Sequence, residues 1–126
     1  MSPLFRRNEE KAARKAAARV EIDRLRAVPT DDLAAVLLVG LGPDGPTNGT
    51  SIRVQQLCQY LLRDYPGAGQ MDTLNLTVPV NKALDRLEAS GLVSPISVQR
   101  TPVWRITPLG ESVLTEGNVR DRLRGR

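Results

Sequence analysis

The chain has 126 residues, 40% hydrophobic and 3% aromatic, with 18 Lys and Arg against 14 Asp and Glu, no histidine and one cysteine. That length holds one modest core and an appended element; with Phe5, Tyr60, Tyr65 and Trp104 as the whole aromatic set, the core has to be aliphatic and a platform for stacking unpaired bases is not expected. Zinc sites of Cys and His, histidine-dependent triads and internal disulfides are excluded, and with no apolar run near the ~20 residues of a membrane span and no secretory h-region in MSPLFRRNEE, a cytoplasmic protein without a cofactor is expected.

The net charge of +4 is unevenly spread. Residues 1–28 carry 8 basic and 4 acidic side chains, residues 29–116 carry 6 and 9, and residues 117–126 carry four arginines against one aspartate. The positive charge therefore sits at the two ends. This division implies a basic, alanine-rich N-terminal helix or arm over 1–28, a mildly acidic globular module over 29–116, and a basic C-terminal tail over 117–126.

Asn8 followed by Glu9 and Glu10 reads as a helix start, a capping side chain and then carboxylates near the positive end of the dipole. The run KAARKAAARVEIDRLRAV has high helix propensity until Pro29 stops it. Its apolar residues Ala18, Ile22 and Leu25 fall at i, i+4 and i+7, one narrow stripe. Such a helix docks that stripe on the module, pairs with a second copy of itself, or projects as a basic arm.

Thr30 is placed to cap the next helix, with Asp31 and Asp32 in its first turn. LAAVLLVGL is apolar all round and hence central, ending at Gly40 to Gly42. GPDGPTNGTS is turn chemistry, without the GK[ST] ending of a phosphate loop. Residues 50–52 can supply a short strand. Val54, Leu57, Cys58, Leu61 and Leu62 recur at i, i+3, i+4, i+7 and i+8, which predicts an amphipathic helix over 54–64. Cys58 lies on that stripe with no base beside it, as a small buried hydrophobe does.

The segment YPGAG turns the chain, and MDTLNLTVP has no clear period. Pro79 is tolerated in the first turn of a helix, so the next helix is capped by Thr77 and begins at Val78. Val80, Ala83, Leu84 and Leu87 line one face of it, and Asn81, Lys82, Asp85, Arg86 and Glu88 occupy the other, until Gly91 closes it. Ile96 and Val98 alternate with Ser97; 103–106 alternates again, with Trp104 and Ile106 on one side and Arg105 on the other, and 99–102 is the turn. Trp104 belongs to the core between this ribbon and the last helix. Thr107 and Pro108 are a cap and a first helical residue, and Leu109, Val113 and Leu114 give that helix its buried face before Gly117.

The segments ALDRLEASGLV and WRITPLGESVL resemble the pattern LxxLEaxGLV, a two-stranded wing and then yxLTxxG of the winged helix-turn-helix in bacterial transcriptional regulators, the superfamily that includes MarR-like and PadR-like proteins. The likeness covers residues 57–114 or so. It implies a mainly α fold with a small β-hairpin wing, here preceded by a long N-terminal helix. It also implies a DNA-binding transcriptional regulator with double-stranded DNA as its partner, and no enzymatic activity. In such a module the recognition helix enters the major groove, where each base pair presents a distinct donor and acceptor pattern. The implied DNA-facing residues are Thr77, Asn81 and Lys82, with Arg86 one turn on; the wing tip nominates Arg100 and Thr101. Arg6, Arg7, Lys11, Arg14 and Lys15 are the candidate arm on the DNA backbone. These families usually carry a helix for dimerisation, and the N-terminal helix is the segment here that could join a homodimer.

A competing reading follows from the acidic balance of 29–116: a protein-interaction or chromosome-structuring module that docks a partner without reading DNA sequence. Asp85 and Glu88 share the exposed face of the 78–90 helix and would repel phosphate. Asp31 and Asp32 form a carboxylate pair that helix capping accounts for, and no base, nucleophile or metal-ligand set converges elsewhere.

Overall fold

Helix α1 (Pro3–Ala27) is a single unbroken helix in the computed structural model, which describes residues 3–98 and 101–124 of the chain. The helix is already under way before Asn8, so Asn8 lies inside it and caps nothing. At ~1.5 Å per residue it is ~37 Å long. The apolar stripe docks: Ala18, Ile22 and Leu25 are buried, whereas each residue from Arg7 to Ala17 is exposed. Half of α1 is thus foundation and half is overhang.

Helix α2 (Thr30–Leu41) buries Leu33, Ala34, Leu37, Leu38 and Leu41 and lies at the centre, with α5 (Thr77–Ala89) packed along it. Thr30 is its first helical residue and not its cap. Pro29 occupies the cap position, and its extended backbone needs no hydroxyl to set the entry angle. Helix α3 (Val54–Leu61) ends three residues short of the amphipathic run; the Arg53 amide at its start donates to Gln56 Oε1 at 2.9 Å.

The segment without a clear period contains a short helix, α4 (Gln70–Asn75), whose start is secured by the Gly69 amide donating to Asp72 Oδ2 at 2.8 Å. A single residue, Leu76, separates α4 from α5. Thr77 is therefore inside α5 and does not cap it: Leu76 has helical φ and ψ, and its carbonyl accepts from the Val80 amide at 3.0 Å. Val80, Ala83, Leu84 and Leu87 of α5 are all fully buried, as their spacing predicts.

Strands β1 (Val93–Val98) and β2 (Thr101–Ile106) form an antiparallel hairpin in which Val93 faces Ile106 and Val98 faces Thr101. Pro102 lies in β2 opposite Ser97 and not in the turn; the remaining turn residues, 99–100, lie outside the described ones. Pro95 is tolerated because, among the described residues, β1 pairs with a strand on one edge alone. On the far side of β2, Ile52 and Trp104 exchange both backbone hydrogen bonds, at 2.8 and 2.7 Å, so the 50–52 segment does contribute a short bridge. Trp104 and Ile106 are buried and Arg105 is exposed.

Thr107 Oγ1 accepts from the Gly110 amide at 3.0 Å and donates to the Gly91 carbonyl at 2.7 Å, which ties the start of α6 (Pro108–Glu116) to the end of α5. Val113 is buried and Leu114 half-buried, but Leu109 is exposed: Gly110, not Leu109, meets the hairpin. The C-terminal segment read as a basic tail is folded over 119–124 as α7 (Val119–Arg124), because Val119 and Leu123 bury themselves in the core. The result is a mainly helical protein with one small antiparallel hairpin and an aliphatic core. Among the described residues no helix is long and apolar enough to cross a membrane.

Candidate nucleic-acid interface

The residues nominated on α5 divide into two groups once the helix is packed. Asn81 and Lys82 are exposed, together with Asp85 and Glu88. Thr77 is half-buried and its side chain lies beside the Cys58 thiol. Arg86 belongs to a different part of the molecule. Its Nε donates to Asp31 Oδ1 at 3.2 Å, Nη1 reaches Ser90 Oγ at 3.4 Å, and Nη2 donates to the Leu123 carbonyl. Arg86 therefore joins α5, α2 and α7, and its donors are taken up inside the fold. Its partner is Asp31, 55 positions away, and not the neighbouring Asp85.

Asp31 and Asp32, read as dipole partners of their own helix, each hold a cation from elsewhere. Asp32 Oδ1 forms an ion pair with Arg120, 3.2 Å from its Nε, so the C-terminal arginines are not uniformly available as a polycationic arm. Arg100 lies outside the described residues; so do the side chains of Arg6 and Thr101, whose backbones stand in α1 and at the first position of β2.

The exposed start of α5 faces a groove of about 410 Å3. Its walls include Val28 and Leu33 on one side and Leu74, Val78 and Pro79 on the other, with Arg26 of α1 and Lys82 of α5 both lining it and no carboxylate among its lining residues. Arg26 was not among the nominated residues. Its signal in the sequence is the spacing Lys15, Arg19, Arg26, at i, i+4 and i+11, which puts these cations along one flank of α1. Asp23 borders that row.

The opposite flank of α1 has another character. There Glu21 and Arg24 pair, Arg24 Nη2 donating to Glu21 Oε2 at 2.9 Å, and Arg24 holds the Glu21 carboxyl below its usual range. The hollow beside them is lined by Glu21, Asp32 and Asp64 as well as by Arg24, Arg63 and Arg120, so its charges balance. Helix α1 thus separates an electrically balanced hollow from a groove with two cations at its rim.

The overhanging half of α1 builds a second basic hollow, of about 390 Å3. Arg7, Lys11, Arg14 and Lys15 line it together with Glu10 and with Pro66 and Gly67 of the loop after α3. Four of the five nominated arm residues are thereby gathered in one place, and the loop that faces them had no functional signal in the sequence.

Cys58 is buried, and burial pushes its thiol up to about 11, against the opposing effect of the Thr77 side chain. It has the environment of a packing residue. Among the described residues no group of three His, Cys, Asp or Glu side chains comes together to hold a metal ion. No family model, no curated protein and no solved structure matches this chain.

Proposed function

We propose that the protein binds duplex DNA as a winged-helix regulator, with the start of α5 in the major groove and α1 along the phosphate backbone. One observation carries this reading: the cationic flank of α1 and the exposed start of α5 converge on one groove through Arg26 and Lys82, with no carboxylate lining it. The order of elements agrees with it. Helix α2, the Ile52 bridge, α3, α5 and the β1–β2 hairpin follow one another as a winged helix-turn-helix requires, with α4 as an added turn between the paired helices. Asn81 is the candidate for a paired contact to adenine, and Lys82 for a guanine or a phosphate. Arg86 is left out of the reading surface because Asp31 and Leu123 occupy its donors.

A second reading, a protein-docking module, is favoured by Met71, Leu74 and Val78. They stand 69%, 56% and 63% exposed in a row at i, i+3 and i+7 across α4 and α5, and DNA-reading faces are ordinarily more polar. Selection from a randomised duplex library with the full chain, at low and moderate salt, separates the two. The DNA reading expects enrichment of a motif and affinity that falls steeply with salt. A pool that stays random, with a flat salt response, would end it in favour of the docking module.

A further inference from the structure

We infer that the overhang of α1 and the loop after α3 form a preorganised phosphate-binding niche, distinct from the α5 surface. The choice of a nucleic-acid backbone as its ligand rests on the DNA-binding reading. The shared chemistry, a row of phosphate groups, could equally come from a free polyphosphate.

The niche follows from how one helix face is used along its length. Arg7, Lys11, Arg14, Ala18, Ile22 and Leu25 succeed one another in steps of four and three residues, so they lie in one row. Over its last three members that row is apolar and buried in the body of the protein. Over its first three it is cationic and passes beyond the body, above Pro66 and Gly67. The cations consequently point to the same side as the core, into a hollow, where a free arm would spread them without preference.

The hollow is held in place by backbone contact. A Cβ built on Gly67 would lie 2.4 Å from the Arg14 carbonyl carbon and 2.5 Å from its oxygen, so the loop touches the helix main chain itself. Glycine is required there for close approach, and Pro66 stiffens the loop beside it. This contact fixes the height of Arg14, and with it of Lys11 and Lys15, over the loop.

The electrostatics then call for an anion. Four cations face Glu10 alone as a carboxylate, and none of the four forms an ion pair among the described residues. Arg7 with Lys11 and Lys11 with Lys15 are like-charge pairs at i, i+4, which weaken a helix unless a counter-charge bridges them. Phosphate oxygens suit this spacing, because arginine forks and lysine ammonium groups can share one anionic row.

The test uses the full chain, with inorganic tripolyphosphate as the probe in an amide NMR titration and a labelled duplex in a parallel anisotropy titration. Tripolyphosphate is expected to move the amide signals of Arg7 to Lys15 and of Gly67 together and to saturate at one equivalent. The double substitution Lys11→Gln/Lys15→Gln, on exposed positions, should weaken it about tenfold. Gly67→Ala, which leaves every charge in place, should weaken it as well by lifting α1 off the loop. Shifts along α1 that do not saturate, with Gly67 unmoved, overturn the niche, as does a folded Gly67→Ala protein that binds as the parent does. Lys11→Gln/Lys15→Gln should weaken the duplex as well as tripolyphosphate, which supports DNA backbone as the natural source, while Asn81→Ala/Lys82→Ala should lose duplex affinity and keep tripolyphosphate affinity. Saturable tripolyphosphate binding by a chain that binds no duplex at low salt supports the niche for a free polyphosphate and removes the DNA reading.

Discussion

Arg86 Nε and Asp31 Oδ1 meet at 3.2 Å and join the helix proposed to read DNA to the central helix beneath it, while Arg86 Nη2 binds the Leu123 carbonyl of α7. The side chain is about one-third exposed, as is Asp31, so the pair is partly shielded from water. Its role is to hold the last helix against the core. Arg86→Ala should lower stability by roughly 1–2 kcal/mol, since it removes charge-assisted bonds whose partners remain partly solvated. The loss is expected as a lower urea midpoint, with duplex affinity unchanged. A mutant of native stability that bound DNA poorly would return Arg86 to the reading surface.

Asn81 and Lys82 are exposed one position apart and should fail in different ways. Asn81→Ala is expected to erase the preference at one base pair, worth roughly 1–3 kcal/mol of discrimination. Lys82→Ala should weaken matched and mismatched duplexes alike and reduce the salt slope by about 1. Anisotropy titrations on the selected duplex and its single-base variants, each at several salt concentrations, check both.

The two halves of α1 call for separate perturbations, because removing residues 1–28 would also remove the buried Ala18, Ile22 and Leu25. Ile22→Ala should cost roughly 2–5 kcal/mol by leaving a cavity at the α1 interface, read as a lower denaturation midpoint. Neutralising Arg7, Lys11 and Lys15 with glutamine should leave that midpoint in place. It should flatten the duplex salt slope by about 2.7, at ~0.9 for each phosphate that the protein no longer neutralises.

Cys58 gives a pH-dependent prediction. Burial raises its thiol from the ordinary 9.0 to about 11. Between those values the unfolded chain releases the proton and the folded one keeps it, so the linkage lowers stability as pH rises through that window. Relative to Cys58→Ala, the parent should lose denaturant resistance between pH 9.0 and about 11 and behave in parallel below it. Native protein at pH 8 should also resist a thiol reagent until denaturant is added; rapid labelling of the native chain would contradict the burial.

What could be read from residues in order were the features decided by near neighbours. The stripe of Ala18, Ile22 and Leu25, the buried face from Val80 to Leu87, the alternation of Trp104 and Ile106 and the cap by Thr107 before Pro108 all depend on helix or strand period and on groups three or four positions apart. The cap positions at Thr30 and Thr77 escaped that logic because what precedes each helix, a proline in one case and another helix in the other, sets the backbone before a hydroxyl can.

The chain order alone could not decide which polar residues of a helix face meet water. Arg86 and Lys82 stand one turn apart on α5 with nothing local to distinguish them, yet Asp31 and Leu123 arrive at one of them and solvent at the other. The same holds for residues 117–126, whose four arginines suggest a tail, although Val119 and Leu123 find the core through α7. It holds for Gly67, whose need to be glycine arises from the Arg14 backbone 53 positions before it. Local sequence determines which elements form, because their hydrogen bonds and caps are local. Packing between distant segments decides which charges are spent inside the fold and which are left to meet a partner.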